Sequence, residues 1–167
     1  MNERSENKRI TIEESGLIFG SFSAENVFYI EKSQVYQKMC GAGVKTVEFI
    51  LLHSKKGLIF IEAKSSSSQK DIDHFIEEVA DKFKHSFELW MSIYEGRKVA
   101  DLSEKFRQVD MGSEPLKYVL VINGHEEKWL KPIMDELNKA LLPYKKIWGL
   151  NIAVMNEKNA KSEKLIC

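Results

Sequence analysis

Cysteine is scarce in this chain, with only Cys40 and Cys167 among 167 residues. Their separation fits no zinc-ligand spacing, and a pair with one member at the end of the chain makes no disulfide framework. A reducing, cytoplasmic setting is the expectation. There are three prolines, and no stretch rich in Pro or Gly divides the chain, so residues 1–167 are expected to form a single domain. No apolar run approaches the roughly 20 residues of a membrane-spanning helix. The opening stretch, MNERSENKRI, lacks the apolar core of a signal peptide. Nor is there an excess of either charge: 25 Lys and Arg balance 25 Asp and Glu. A protein that coats nucleic acid with its whole surface carries a strong basic excess, so any such contact here must be local or transient.

What the chain does have is 43% hydrophobic residues and enough length to bury a core unaided. Residues 1–9 and the polar, lysine-rich end from Asn156 to Cys167 are expected to be mobile tails. Leu17 to Phe22 is a strand or turn candidate. Ser23 offers an N-cap for AENVFYIEKSQVYQKM, where a helix would put Phe28, Glu31, Val35 and Met39 on one face, although NVFYI also reads as a strand. Cys40-Gly-Ala-Gly43 ends that element.

Val47 to Leu52 (VEFILL) and Leu58 to Lys64 (LIFIEAK) are β-rich runs around the turn HSKKG and read as a hairpin. Both are apolar on both faces, as in a sheet covered on two sides. Ile72, Ile76, Val79, Phe83, Phe87, Trp90 and Tyr94 recur at spacings of three and four, predicting a long helix from about Gln69 to Tyr94. Residues 97–115 read as a loop or short helix. Lys117 to Asn123 is a buried strand, Trp129 to Leu142 a helix with Pro132 near its first turn, and Trp148 to Met155 a last strand. The order predicts an α/β fold: a central mixed sheet, made of the antiparallel hairpin plus later strands, flanked by helices.

If His53 opposes Gly57 across the turn, Glu48 opposes Glu62, about 5 Å apart at Cβ on one face. Lys64, two residues on, shares that face. A slip of one residue would undo the arrangement. Two facing carboxylates repel, and one of them tends to take up a proton. A divalent cation relieves that repulsion, and hard carboxylate oxygens suit Mg²⁺ or Mn²⁺. A bound cation activates water towards a phosphodiester, and a lysine alongside can orient the water or stabilise developing charge.

The stretch Gly43 to Ser66, GVKTVEFILLHSKKGLIFIEAKSS, resembles the core of the PD-(D/E)XK nuclease superfamily, with its restriction-endonuclease-like fold. Glu62-Ala63-Lys64 matches the acid-x-lysine motif, and Glu48 stands where the family usually has Asp. No proline precedes Glu48, which follows Thr46 and Val47. The resemblance implies an Mg²⁺- or Mn²⁺-dependent nuclease cutting DNA, in defence, restriction or repair. It further implies metal ligation by Glu48, Glu62 and the Ala63 carbonyl. Because the family often adds a glutamate from the preceding helix, Glu31 is the candidate, with Glu25 as second choice. Gln69 is a candidate substrate contact by the same resemblance. Members often act as homodimers, and the aromatic segment Phe83 to Tyr94 is a candidate face.

The alternatives are a catalytically inactive module of the same fold, binding nucleic acid or a protein partner, and a scaffolding domain with an incidental charged cluster. In the blandest reading, Glu48, Glu62 and Lys64 are a surface ion-pair group of little energetic weight. Ser65 to Ser68 read first as a cap for the long helix and second as a phosphate pocket. The four histidines make no metal-ligand spacing, Lys82 and Lys84 read as solvated, and the three tryptophans are assigned to the core.

Overall fold

A computed structural model describes residues 8–67 and 70–167. Residues 1–7 of the expected N-terminal tail, together with Ser68 and Gln69, lie outside the described residues.

The chain opens with a hairpin, β1 (Arg9–Glu14) and β2 (Leu17–Ser23), turned by Ser15 and Gly16. A short strand β3 (Val27–Phe28), a 3₁₀ turn at Ile30–Lys32 and a one-turn helix α1 (Gln34–Gln37) follow. The single helix entertained for this region does not form. Phe28 is drawn onto the sheet edge opposite Ile50, and Ser33 caps only the short α1.

Next come β4 (Phe49–His53), β5 (Gly57–Lys64) and the long helix α2 (Ile72–Tyr94). After α2 lie a short helix α3 (Glu104–Arg107), β6 (Leu116–Ile122), α4 (Leu130–Ala140), α5 (Leu142–Trp148), β7 (Asn151–Asn156) and α6 (Glu157–Ser162). β3 to β7 form one five-stranded mixed sheet in chain order. Its first three strands are antiparallel, whereas β5, β6 and β7 run parallel.

Apolar strands need cover on both faces, and the two faces are covered differently. Ile50, Leu58 and Phe60 point towards α2, where they meet Val79, Phe83, Phe87 and Trp90. Leu130, Ile133 and Leu137 of α4 extend the same layer. Phe49, Leu51, Ile59, Ile61 and Ala63 point the other way, onto Ile12, Leu17 and Phe19 of the first hairpin and Ala160, Leu165 and Ile166 at the C-terminus. The chain end expected to be mobile is therefore packed: Ala160 is fully buried, and Ile166 bridges to Phe19. At the other end, Arg9 already belongs to β1.

The cap of α2 is Asp71, whose side chain accepts the His74 N–H, rather than a serine of the preceding run. The predicted helix at 129–142 breaks at Leu141 and continues as α5, which takes in Trp148 and ends at Gly149, where φ is +65°. Only Trp90 is a core tryptophan; Trp129 and Trp148 are more than two-fifths exposed. Among the described residues no helix is long and apolar enough to cross a membrane.

The hairpin register is fixed from both ends. His53 pairs with Gly57 and Phe49 with Ile61, as the sequence predicted. Gly57 sits at φ +77° with Pro115 so close that a Cβ would lie 2.2 Å from its carbonyl oxygen, so only glycine fits.

A candidate metal centre at the end of the central ribbon

The ladder between β4 and β5 stops at Phe49 and Ile61, one pair short of Glu48 and Glu62. Glu48 lies in a bend just before β4, with its N–H on the Ile61 carbonyl at 3.0 Å. Helix α2 holds this approach in place. His85 Nδ1 accepts the Lys45 N–H at 3.0 Å, and the buried Ser86 hydroxyl accepts the Val47 N–H at 2.8 Å. The 3₁₀ turn packs on the other side, where Glu31 N–H reaches the Glu48 carbonyl at 3.5 Å.

Three acids meet here. Glu14, Glu31 and Glu48 each offer a carboxylate oxygen within 4.8 Å of the others. Glu14 comes from the last residue of β1 and accepts the Tyr29 hydroxyl. Burial, the Glu14 bond and the surrounding carboxylates all push the Tyr29 hydroxyl above its ordinary value. Glu48 is 6% exposed. Burial, a hydrogen bond with the Glu31 carboxyl and the charges of Glu62 and Glu31 push its pKa up to about 9, against the pull of Lys82. At neutral pH it holds a proton, as expected of one member of a crowded acidic pair.

Glu62 is fully buried on the α2 side of β5. Lys82 reaches down from α2 to place Nζ 2.8 Å from Glu62 Oε1. Lys64 Nζ lies 3.5 Å from the same oxygen and 2.5 Å from Glu78 on α2. Glu62 Oε2 has no hydrogen-bond partner among the described residues. Burial raises the Glu62 pKa, and the two lysines oppose that rise. Burial also works against the charge on Lys82, but Glu62, with Glu48 and Glu31, outweighs it and holds the amine above its ordinary value.

The turn of the first hairpin closes one side of the centre. The Ser15 hydroxyl donates to the Ala63 carbonyl at 3.1 Å, and Asn123, just beyond β6, donates its side-chain amide to the Ser15 carbonyl at 3.0 Å. Gly16, at φ +75°, leaves no room for a Cβ beside that amide.

Glu48, Glu62, Lys64 and Glu31 thus lie in one neighbourhood, but the acids divide into two groups. Glu48 turns to Glu31 and Glu14, while Glu62 turns to Lys82 and Lys64. The charge of Glu62 still bears on Glu48, while Lys82 lies against Glu62 Oε1. Glu25 is exposed and pairs with Lys105 at 3.8 Å, away from the three clustered acids. Gln69 lies outside the described residues.

Three participants were not anticipated: Glu14, Glu78 and Lys82. Glu78 and Lys82 are four apart and flank the buried stripe at Val79 and Phe83, which places both over the sheet. Reading Lys82 as solvated overlooked that step from the apolar stripe. Glu14 becomes visible once Arg9–Ser23 is read as a hairpin around Ser15-Gly16.

Chemically, the centre offers carboxylate oxygens, one of them buried and without a hydrogen-bond partner among the described residues, beside two lysine ammonium groups. The oxygens suit a hard divalent cation. Compared with family models, curated proteins and solved structures, the chain matches none.

Proposed function

We propose that this protein is a metal-dependent nuclease of restriction-endonuclease-like fold that hydrolyses DNA phosphodiester bonds. The observation that carries the reading is the meeting of Glu48, Glu31 and Glu14 at the end of an apolar β-ribbon, beside a buried Glu62 that faces Lys64 and Lys82 and has one oxygen without a hydrogen-bond partner among the described residues. The order of antiparallel ribbon, long helix and parallel strands around that end supports it.

The donor set fits Mg²⁺ or Mn²⁺. Glu48 with Glu31 and Glu14 would hold the ion, with Glu62 Oε2 as a further oxygen. The Ala63 carbonyl has a second lone pair beside its Ser15 bond. When bound, such a cation lowers the pKa of water and stabilises charge on a phosphate. The chain's own residues supply the rest. Glu48 would have to give up its proton to serve as a ligand. Glu62 fixes Lys64 and Lys82 as two charged donors. Lys64, less buried than Glu62 and anchored by Glu78, is placed to orient a water or neutralise a phosphate oxygen.

One observation favours a second reading, a non-catalytic module of the same fold. Lys82 and Lys64 already compensate Glu62 without any ion. A plasmid-nicking assay separates the two. Supercoiled DNA with Mg²⁺ or Mn²⁺ should be nicked, with no nicking in EDTA. Lys64→Ala and Glu62→Gln should each lower the rate at least 100-fold while melting as cooperative, folded proteins. DNA retention without cutting under any metal would establish the module instead.

A further inference from the structure

A cleft of about 740 Å³ runs beside the acidic centre, between the 3₁₀ turn with α1 and the segment from Val99 to Arg107. Its walls carry Lys32, Lys38 and Arg107 against a single acid, Asp101. A smaller hollow shares Val35, Lys38 and Val99 with it and adds Arg97 and Lys98. Five cationic side chains therefore line two adjoining depressions on a molecule whose formal net charge is zero. Lys38, Arg97, Lys98 and Arg107 are exposed. Among the described residues none of these four lies in an ion pair with a carboxylate, unlike Lys56, Lys105, Lys128, Lys131 and Lys139.

The cleft is joined to the acidic centre through shared residues. Tyr29 and Lys32 line the cleft; Tyr29 also bonds Glu14, and Lys32 Nζ lies 3.9 Å from a Glu14 oxygen. Glu31, between them in sequence, belongs to the acidic cluster. The far wall is braced, since the Ser103 hydroxyl donates to the Glu25 carbonyl at 2.6 Å and Lys105 Nζ to Asn26 Oδ1 at 3.1 Å. The cleft is preformed, and ordering it costs little on binding.

We infer that this cleft is the track for the DNA backbone, with Lys38, Arg97, Lys98 and Arg107 on successive phosphates and Lys32 at the entrance to the acidic centre. The inference rests on the nuclease-fold reading and assigns its substrate a path. Unpaired cations along a groove bind phosphates by releasing counterions, which makes binding steeply dependent on salt. A local stripe of this kind also reconciles a polyanionic substrate with zero net charge.

The test is fluorescence anisotropy with labelled single- and double-stranded DNA oligomers across a salt series, in EDTA and again in Ca²⁺. The full chain is compared with a cleft variant (Lys38→Ala, Lys98→Ala, Arg107→Ala) and a control (Lys131→Ala, Lys139→Ala, Lys161→Ala) carrying the same change in net charge. The cleft variant should bind at least tenfold more weakly at 0.1 M salt. Its log K against log salt should be shallower by about 0.7–0.9 for each contact removed. The control should stay within about twofold of wild type. Equal binding by cleft variant and wild type, or an equal loss in the control, overturns the track while leaving the nuclease reading standing. Absence of wild-type binding to either oligomer in both buffers overturns the nucleic-acid reading itself and the track with it. Circular dichroism melting of both variants verifies that only surface charge has changed.

Discussion

Lys82 Nζ lies 2.8 Å from Glu62 Oε1, joining the middle of the longest helix to a carboxylate that has no solvent exposure. A buried ion pair gains little over an apolar pair of similar shape, but losing one partner strands the other. Lys82→Met should therefore destabilise the protein by about 3 kcal/mol at pH 8. The loss should be smaller at pH 5, where Glu62 can take up a proton. Urea denaturation at the two pH values checks this, and equal losses at both would show that Glu62 does not rely on Lys82 for its charge.

Glu48 makes the stability of the protein depend on pH. Its folded pKa is about 9 against an ordinary 4.5. Between those values the folded chain holds a proton that the unfolded chain has released. Stability from this group is therefore full below about pH 4.5 and declines as the pH rises towards 9. Glu48→Gln should flatten that decline and be roughly 1–3 kcal/mol more stable than wild type at pH 8.5. Thermal melts from pH 5 to 9 in chelator would reveal the crossing, and parallel curves would count against the crowded acid cluster.

The backbone that carries Glu48 is held by Ser86, whose hydroxyl accepts the buried Val47 N–H. Ser86→Ala leaves that donor without a partner and should cost about 1–3 kcal/mol. Amide exchange at Val47 should accelerate more than exchange in the β4 ladder. Unchanged protection at Val47 would mean that the approach to Glu48 is held by other contacts.

Gly57 sets the start of β5 against Pro115, whose carbonyl accepts the Leu58 N–H at 2.8 Å. Gly57→Ala would need both a left-handed backbone and space that Pro115 fills. A loss of more than about 2 kcal/mol is expected, large for a single methyl group. A urea midpoint equal to wild type would contradict the observed turn and, with it, the register that aims Glu62 and Lys64.

Local pattern carried the middle of the molecule into view. The two-sided apolar runs on either side of HSKKG, anchored by Gly57, specify β4, β5 and their register by themselves. The spacing of Val79, Phe83, Phe87 and Trp90 does the same for α2. What stayed hidden depends on partners distant in sequence. Lys82 looks like any helix-surface lysine until α2 lies across Glu62. Glu14 has no visible role until the first hairpin folds its turn against Ala63 and Asn123. The polar C-terminal stretch reads as a tail because Ala160, Leu165 and Ile166 are its only buried apolar residues, and they pack against a hairpin far away in the chain. The short elements between Val27 and Gln37 are set by docking onto the sheet edge rather than by helical periodicity.

The most direct measurement is calorimetric titration of the metal-free protein with Mn²⁺ at several pH values, for wild type and Glu48→Gln. Wild type should take up Mn²⁺ with an affinity that rises by up to about tenfold per pH unit between pH 5 and 9, releasing a proton near pH 7 as Glu48 becomes a ligand. Glu48→Gln should bind at least tenfold more weakly and lose that dependence. Wild type that takes up no Mn²⁺, or binds it as well without the Glu48 carboxyl, would contradict a cation site at the end of this ribbon.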